Sequence, residues 1–514
     1  MHAEAIAIIT ELEKRLDTRA LKYGGVCYWP LIRQKVWGAL MEKMALNPKG
    51  TMSATDAVKN NTNAVWPEVG AVDVGAVGPP FLGFVHPDGD AADRAVAAGG
   101  VAPKAVFFAR PEEYMDTING TRFAKTIDSV LERAATRCPV SKIEIADPRT
   151  IQFPRHYPSL FLHLSKASRG VVFDPPHVLE NFGAIGAALK AINVDIKLNE
   201  PSLTDDMGKV FYLSRIFGNT LKQLQPKVFL QSIYYHLIGM AWVLACRRRN
   251  ILAVDVQHGR LGPHEGHYTQ LTVAPPEGYE IVPDLVWCWG KQTKHDIDVN
   301  KNPACQRHGG IVGGNMWLHK WRYGDPAALD PPGAKEFIAS LAGRVKILVS
   351  LQPYDSPILP ELAQAMRESP PNWSWLMRVH PLRRHTIPEI VEILERKGIT
   401  NAEVAMSSDL PLFTLLRSTD HHVTAFSSVT VEAAAFDVRT SLLGGEGVDA
   451  FAPQIARDIC RYTPTAASIL QHINEVARAP RVPVNDDFID MTPGIGDRTL
   501  DYLLSGAAHA PQSA

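Results

Sequence analysis

The stretch Ile251-Leu252-Ala253-Val254-Asp255-Val256-Gln257-His258-Gly259 passes from a near-continuously apolar run into a polar segment that contains glycine. A short run of apolar residues without alternation predicts a strand that is buried on both faces, as the strands of parallel sheets are. From residue 102 onward such runs alternate with amphipathic helical patterns, which is typical of βαβ units. The other runs in this half of the chain are 105–108, 170–173, 226–230 and 285–289.

A second series of the same kind begins at Val345. Between the two series, residues 325–333 contain three prolines and two aspartates and predict a linker. The sequence therefore predicts an α/β fold with two doubly wound, Rossmann-type domains that face a central cleft, with ligands outside the carboxyl ends of the strands. In the second series we expect strands at 345–350, 373–379, 404–406, 420–424 and 440–443, and helices at 358–367, 388–397, 410–417 and 428–436.

The chain of 514 residues is long enough for about three average domains, or for two large ones. The patterns divide it into four regions. These are a helical and irregular N-terminal region (1–100), a first Rossmann-like domain (101–330), a second Rossmann-like domain (335–480) and a tail with one helix (481–514).

The composition excludes several classes of protein. Lys and Arg number 53 against 54 Asp and Glu, so no overall positive field favours nucleic acid. A hydrophobic content of 46% with 21% charged residues is typical of a soluble globular protein. The six cysteines are scattered, which favours a reducing compartment. With no signal peptide and no apolar run of about 20 residues, we expect a cytoplasmic protein.

The first candidate site follows the run at 251–256. We expect His258 to act as a base or to donate to a phosphate, with Glu265 or Asp255 orienting or replacing it. A core histidine that closes a strand is the alternative. A metal site is less favoured, because His258, His264, Glu265 and His267 lack the i, i+4 histidine spacing of a zinc helix.

The second candidate site is the end of the run at 373–379, where Arg378, His380 and Pro381 are followed by two more arginines and a histidine. Proline ends the strand, and the cluster of basic side chains favours an anionic ligand, because arginine and histidine both donate to phosphate oxygens. A solvated basic loop is the alternative.

The third candidate site is the start of the predicted helix at 428–436. Ser427 or Ser428 is a suitable N-cap, and a helix N-terminus offers unpaired N–H groups to a phosphate. Glu432 can accept hydrogen bonds from ribose hydroxyls. Simple capping without function is the alternative. Two lesser strand ends, for which ordinary turns are an equal alternative, add Gly314, Asn315 and Gln352.

The order of these motifs resembles that of GT-B glycosyltransferases of bacterial surface-polysaccharide synthesis (capsule and O-antigen), above all the sialyltransferase, polysialyltransferase and Kdo-transferase group that uses CMP-sugars. In that group His-Pro and Ser-Ser contact the CMP phosphate, which implies donor binding by His380, Ser427 and Ser428. Gln257-His258-Gly259 is similar to the His-Gly of capsule-type transferases and CDP-glycerol glycerophosphotransferases, where histidine is the candidate base. Gly314-Asn315 is similar to the Gly-Asn that precedes the second domain in capsule-type and UDP-sugar enzymes.

The resemblance implies a metal-independent glycosyltransferase without a cofactor. Its partners are a nucleotide-sugar donor, with a CMP-sugar favoured, and a saccharide or lipid-linked saccharide acceptor, but not nucleic acid. The acidic motif that carries the base in sialyltransferases is absent from the first domain. Three alternatives stay open: a nucleotide-sugar epimerase of the same fold, a CDP-polyol phosphotransferase and a non-catalytic assembly subunit.

Peripheral contact with the inner face of a membrane is a further expectation that the sequence leaves open. The opening helical segment carries Arg15, Arg19 and Lys22 among leucines, a composition that can lie on anionic lipid. Acidic residues alternate with these basic ones, which favours a helix packed in the core.

Overall fold

The computed structural model describes residues 2–45, 84–85, 102–114, 116–118, 120–145, 154–162, 164, 177–259, 261–352, 358–478 and 487–506. The chain divides into two units. The first comprises the residues up to Gly313 together with those from Gly494 onward, and the second comprises Gly314–Pro493. Each unit is built on one large sheet.

The first unit contains an eight-stranded sheet in the order β12-β11-β10-β9-β4-β7-β8-β3. Its neighbouring strands are parallel, except that β3 pairs with β8 in the antiparallel sense. The strands are β1 (Lys22–Tyr23), β2 (Val26–Cys27), β3 (Phe84–Val85), β4 (Ala105–Phe108), β5 (Asp116–Ile118), β6 (Thr121–Phe123), β7 (Val140–Glu144), β8 (Leu160–Leu162), β9 (Val228–Gln231), β10 (Leu252–Val256), β11 (Leu285–Cys288) and β12 (Gly309–Val312).

The second unit contains a six-stranded sheet in the order β15-β14-β13-β16-β17-β18, all of it parallel. The α/β class with two doubly wound sheets is thereby confirmed. The strands are β13 (Val345–Ser350), β14 (Trp373–Arg378), β15 (Ala402–Glu403), β16 (His421–Thr424), β17 (Thr440–Leu442) and β18 (Cys460–Tyr462).

Helices separate most consecutive strands, as parallel pairing requires. Among the described residues, no helix has both the length and the sustained apolar character needed to cross a bilayer. The helices are α1 (His2–Glu13), α2 (Trp29–Ala45), α3 (Lys125–Ala135), α4 (Phe182–Ala191), α5 (Glu200–Leu224), α6 (Leu237–Arg247), α7 (Lys291–Asp298), α8 (Met316–Tyr323), α9 (Pro326–Leu329), α10 (Ala334–Ser340), α11 (Pro360–Glu368), α12 (Ile387–Arg396), α13 (Ala405–Asp409), α14 (Leu412–Ser418), α15 (Val429–Ala434), α16 (Gly445–Ala450), α17 (Ala452–Ala456), α18 (Ala466–Arg478) and α19 (Ile495–Ser505).

The opening helices α1 and α2 pack into the core of the first unit. Their apolar side chains, among them Ile9 and Ile32, are fully buried. Glu13 and Arg33 are buried with them and form an ion pair of 3.0 Å that links the two helices. This segment is thus part of the first unit rather than a separate region.

Eight of the ten predicted strands lie within two residues of an observed strand, whereas β7, β8 and β18 were not predicted, and several boundaries differ. The division between units lies at Gly313, ahead of the predicted linker at 325–333, because α8 and α9 belong to the second unit. The tail helix α19 belongs to the first unit, where Thr499 donates to the carbonyl of Val312 (2.7 Å). The predicted strand at 404–406 is wrong: β15 ends at Glu403, whose carboxylate accepts from the amide of Met406 and so starts α13. The predicted strand at 170–173 lies outside the described residues.

Candidate functional site

Both large sheets have a switch point, where the strand order reverses. In the first sheet it lies between β4 and β9, and in the second between β13 and β16. In open parallel sheets, ligands bind outside the carboxyl ends of the strands at such points. The residues that follow these four strands are therefore the first candidates for function in each unit.

At the switch point of the first unit, Arg110 and Glu113 follow β4, and Ser232 and His236 follow β9. The Ser232 hydroxyl donates to the Glu113 carboxylate, which joins the two segments. Burial, and after it the charge of the nearby Arg110, lowers the pKa of both His236 and His258. A cluster of polar side chains thus surrounds the ends of β4, β9 and β10.

His258 lies where the sequence predicts it, directly after β10, and it is half-buried. Its Nε2 lies 3.5 Å from the Tyr235 hydroxyl, and its buried Nδ1 has no hydrogen-bond partner among the described residues. Burial, together with Arg110, lowers the pKa of His258 to about 4. The ring is therefore unprotonated at neutral pH and is able to accept a proton.

The two carboxyl groups predicted to assist His258 have different surroundings. Asp255 is fully buried in β10, and its Oδ2 accepts a hydrogen bond of 2.6 Å from Tyr268. Burial raises the pKa of Asp255 to about 8. Glu265 is half-buried in the following loop, and burial raises its pKa to about 7. Glu265 therefore titrates near neutrality, whereas Asp255 is largely protonated there and closed to solvent.

Helix α2 holds the segments that carry these groups. Arg33 donates to the carbonyl of Gly266 and, at 3.1 Å, to that of Thr269. Gln34 donates to the carbonyl of Tyr235, whose ring stacks on His267 with centroids 4.0 Å apart. The loops after β9 and β10 are thus both tied to the N-terminal helices.

At the switch point of the second unit, the hydroxyl of Thr424 contacts three neighbouring residues. Thr424 Oγ1 donates to the carbonyl of Ser350 (2.8 Å) and accepts from the amide of Ser427 (3.3 Å). Gln352 Nε2 lies 3.5 Å from the same oxygen. The sequence-predicted Gln352 and Ser427 therefore lie together at the ends of β13 and β16.

One of the two serines predicted to cap the helix makes a capping hydrogen bond at the start of α15. Ser427 Oγ accepts from the amide of Val429 (3.3 Å), so Ser427 makes the capping hydrogen bond. Ser428 is exposed and makes no capping hydrogen bond through its side chain. Glu432 lies in the first turn and is half-buried.

The first of the basic residues at the end of β14 supports the local backbone through hydrogen bonds. Arg378 Nη1 donates to the carbonyls of Ser407 (2.9 Å) and Leu410 (2.5 Å), and thereby holds the segment around α13. His380 is exposed, and partial burial lowers its pKa. Pro381 opens a 3-10 turn. Because β14 lies beside β13, this segment is next to the switch point.

Gly314 and Asn315 start a helix. Asn315 Oδ1 accepts from the amide of Leu318 (3.1 Å) and so caps α8. Gly314 has a φ of 76°, in the left-handed region that favours glycine. Among the described residues, no hydrogen bond joins Asn315 to the group around Thr424.

Within the described part of the chain, no three His, Cys, Asp or Glu side chains come together as a set able to hold a metal ion. His258, Glu265 and His267 share one loop. The ring of Tyr235 stacks on His267 and also contacts His258.

The sequence alone did not single out Arg110, Glu113, Tyr235 or His236. Each lies after a strand that was expected, so their position was open to prediction. What the sequence does not show is that β4 and β9 are neighbours, since the Ser232 and Glu113 side chains that meet are 119 residues apart.

No protein-family model and no curated protein matches this chain. Solved structures do match it. UDP-GlcNAc 2-epimerase from Neisseria meningitidis bound to UDP-GlcNAc is 11% identical, with 78% of this chain and 99% of that chain covered and a TM-score of 0.48. The S. aureus MnaA–UDP structure is 11% identical, with 80% and 99% covered and a TM-score of 0.44. CalG4, the calicheamicin glycosyltransferase, is 13% identical, with 80% and 100% covered and a TM-score of 0.41. At these values the likeness assigns no activity to this chain.

Proposed function

We propose that this chain is a GT-B glycosyltransferase that transfers a sugar from a nucleotide donor to a saccharide acceptor in bacterial surface-polysaccharide synthesis. The second unit binds the nucleotide sugar, with a CMP-sugar favoured, and the first unit binds the acceptor. The reaction needs no metal and no further cofactor.

One observation carries the proposal. Two doubly wound parallel sheets occur in one chain, and each has polar side chains after the strands at its switch point. Such positions bind ligands in open α/β sheets. A chain with one such position in each unit is suited to a reaction between two substrates.

In the first unit, we assign proton transfer to His258. Its unprotonated ring takes the proton of the acceptor hydroxyl while the acceptor oxygen bonds to the anomeric carbon of the donor. Glu265, whose pKa is about 7, is the second group in that loop able to exchange a proton near neutrality. The buried Asp255 supports the site through Tyr268.

In the second unit, we assign the donor to Gln352, Ser427, Ser428 and His380. As the bond between the anomeric carbon and the phosphate oxygen breaks, the electron pair goes to the phosphate oxygen. Hydrogen-bond donors that are already in position stabilise the resulting charge. Amide, imidazole and hydroxyl groups after β13, β14 and β16 supply such donors. Glu432 is the candidate for the ribose hydroxyls.

A nucleotide-sugar epimerase is the second candidate, and a specific observation favours it. Glu265, with a pKa of about 7, and the unprotonated ring of His258 lie in one half-buried loop, so the first unit holds two groups that can exchange protons near neutral pH. Groups of this kind can remove and return a proton on a sugar ring. An epimerase would need the donor alone.

The test is a thermal-shift panel with CMP, CDP, UDP and GDP, followed by product analysis. A ligand at about 100 times its Kd should stabilise the protein by about 2.7 kcal/mol. We expect CMP to give the largest shift. A transferred sugar on an added saccharide supports the transferase, an altered sugar on the nucleotide supports the epimerase, and transfer of a polyol phosphate from a CDP-polyol supports a phosphotransferase. Binding of none of the four nucleotides would contradict the proposal and favour an assembly subunit.

A further inference from the structure

Arg110 is a cation near the switch point of the first unit. Among the residues that the structure describes, no carboxylate lies within ion-pair distance of its guanidinium, and its buried Nε has no hydrogen-bond partner. The side chain is only half-buried, at the carboxyl end of β4.

Two acidic side chains lie near Arg110, but neither is within ion-pair distance of its guanidinium. Glu113 accepts from the backbone amide of Arg110 (2.9 Å) and from Ser232, and its burial raises its pKa. Asp255, which also senses Arg110, has a pKa raised to about 8 by burial and is largely neutral. At the end of β4 the Arg110 guanidinium is therefore available to an anionic group of a ligand, since neither carboxyl group pairs with it.

His236 supplies a second hydrogen-bond donor, and its hydrogen bond at Nδ1 determines which ring nitrogen donates. Its Nδ1 accepts the amide hydrogen of Gly239 (3.1 Å), as the N-cap of the eleven-residue helix α6. An unprotonated imidazole that accepts at Nδ1 carries its hydrogen on Nε2. That buried Nε2–H has no acceptor among the described residues. The N-terminus of α6, with its own positive potential, lies at the same place.

We propose that the ends of β4 and β9 form an oxyanion-binding site, in which the Arg110 guanidinium and the His236 Nε2–H bind a phosphate or carboxylate group of a substrate. Arginine presents parallel donors that match the two oxygens of such a group. Buried donors without acceptors are costly, and an oxyanion is the ligand that satisfies them.

This inference deepens the proposed function, on which it rests only for the identity of the substrate. If the first unit binds the acceptor, the acceptor carries a phosphate or a carboxylate close to the group that reacts. A neutral saccharide would leave the Arg110 charge unpaired.

The test is calorimetric titration of the full chain with two probes, inorganic phosphate and glucuronate, at fixed ionic strength. Arg110→Gln removes the charge while keeping a polar side chain. His236→Asn removes the Nε2–H but retains a good N-cap for α6. Arg249→Gln, at an exposed arginine of the same unit, is the matched control.

We expect the wild type to bind at least one probe. The probe with the higher affinity shows whether phosphate or carboxylate is the natural group. Arg110→Gln should weaken that binding by about 10- to 100-fold, and His236→Asn by about 3- to 10-fold. Arg249→Gln should change it by less than about twofold. Arg110→Lys, which keeps the charge but loses the paired donors, should fall between the wild type and Arg110→Gln.

Several results would overturn the oxyanion site: binding of neither probe by the wild type, an unchanged affinity in Arg110→Gln, or equal losses in all three glutamine and asparagine variants. The last result would show unspecific attraction to positive charge. CMP affinity, measured on the same samples, separates the two proposals. Anion binding without nucleotide binding would keep the oxyanion site and reject the transferase, whereas the reverse would reject only the oxyanion site.

Discussion

His258 and His264 are six residues apart in the same loop, but their surroundings differ. His258 is half-buried with a pKa lowered to about 4, and His264 is exposed. We expect His258→Ala to reduce turnover by about 10²- to 10⁴-fold, as loss of a general base does, while His264→Ala changes it little. The measurement is steady-state transfer with the nucleotide sugar identified by the thermal-shift panel.

The melting temperatures of both variants serve as the control for folding. If His258→Ala kept more than about a tenth of the wild-type turnover while folded, the assignment of the base would be wrong. Glu265→Gln would then be the next variant, since Glu265 lies in the same loop and has a pKa of about 7.

Single residues of the site were predictable from the sequence where a strand end marked them. His258, Gln352 and Ser427 all follow strands that were expected, and the last two meet at Thr424. Their roles in binding and catalysis stay predictions. Arg378 and Asn315 were also marked by strand ends, but their hydrogen bonds go to backbone groups that hold a loop and cap a helix. Local sequence does not tell these two uses apart, because both need a polar side chain at the same place.

At the scale of secondary-structure elements, Asn315 offers a clear test between capping and ligand binding. Because its Oδ1 caps α8, Asn315→Ala should lower the free energy of unfolding by about 1 kcal/mol. Asn315→Asp, which retains a capping oxygen, should restore most of it. Urea unfolding measures the loss, and calorimetry with CMP measures the affinity.

We expect CMP affinity to be unchanged in both Asn315 variants. A large loss of affinity with little change in stability would instead support the ligand contact that the resemblance to capsule-type enzymes implies for Gly314-Asn315.

The contact between α1 and α2 depends on a buried ion pair. Glu13 accepts from Arg33 (3.0 Å) and from Trp29 Nε1 (2.9 Å), with both charged side chains almost fully buried. Glu13→Gln leaves the Arg33 charge buried without a partner, so we expect a loss of about 3–5 kcal/mol in the free energy of unfolding. Urea unfolding followed by fluorescence measures it.

Glu11 on the same helix is the matched control. It pairs with Lys14 and Arg15 in solvent, where ion pairs contribute little, so Glu11→Gln should change stability by less than about 1 kcal/mol. Equal losses in the two variants would contradict the role given to the buried pair.

The second unit contains buried histidines in β16 and in α18 that remain unprotonated. His422 bonds to the Thr440 and Ser350 hydroxyls (3.0 Å each), and burial lowers its pKa to about 3. Burial likewise lowers the pKa of His472 to about 4. In the unfolded chain these groups take up protons near pH 6.5, so between pH 6.5 and 4 the unfolded state binds more protons. The stabilisation is fully present above that range and is lost as the pH falls through it.

Hydrogen exchange of β16 and β17 at pH 7.5, 6.0 and 5.0 tests this expectation. The free energies of local opening should decrease as the pH decreases. In His472→Gln they should decrease less steeply. A flat profile in the wild type would show that these histidines keep the same pKa on unfolding.

At the scale of the whole molecule, the two units have separate switch points and are expected to bind different ligands. Hydrogen exchange with saturating CMP should therefore protect amides after β13 and β16, within Gly314–Pro493. Phosphate or glucuronate should protect amides after β4 and β9 in the first unit. Protection by CMP in the first unit alone would contradict the assignment of the donor to the second.

The sequence by itself determined that the chain forms two series of parallel strands and where most of these strands end. Burial on both faces favours largely apolar runs such as 252–256 and 345–350, and these are visible locally. Only the tertiary structure decided which strand ends are neighbours. Pairing of β4 with β9 joins segments that are far apart in the chain, and no local pattern encodes it. For that reason His258 could be predicted from the sequence. Arg110 and His236 became candidates only because the structure places both at the carboxyl end of the same sheet.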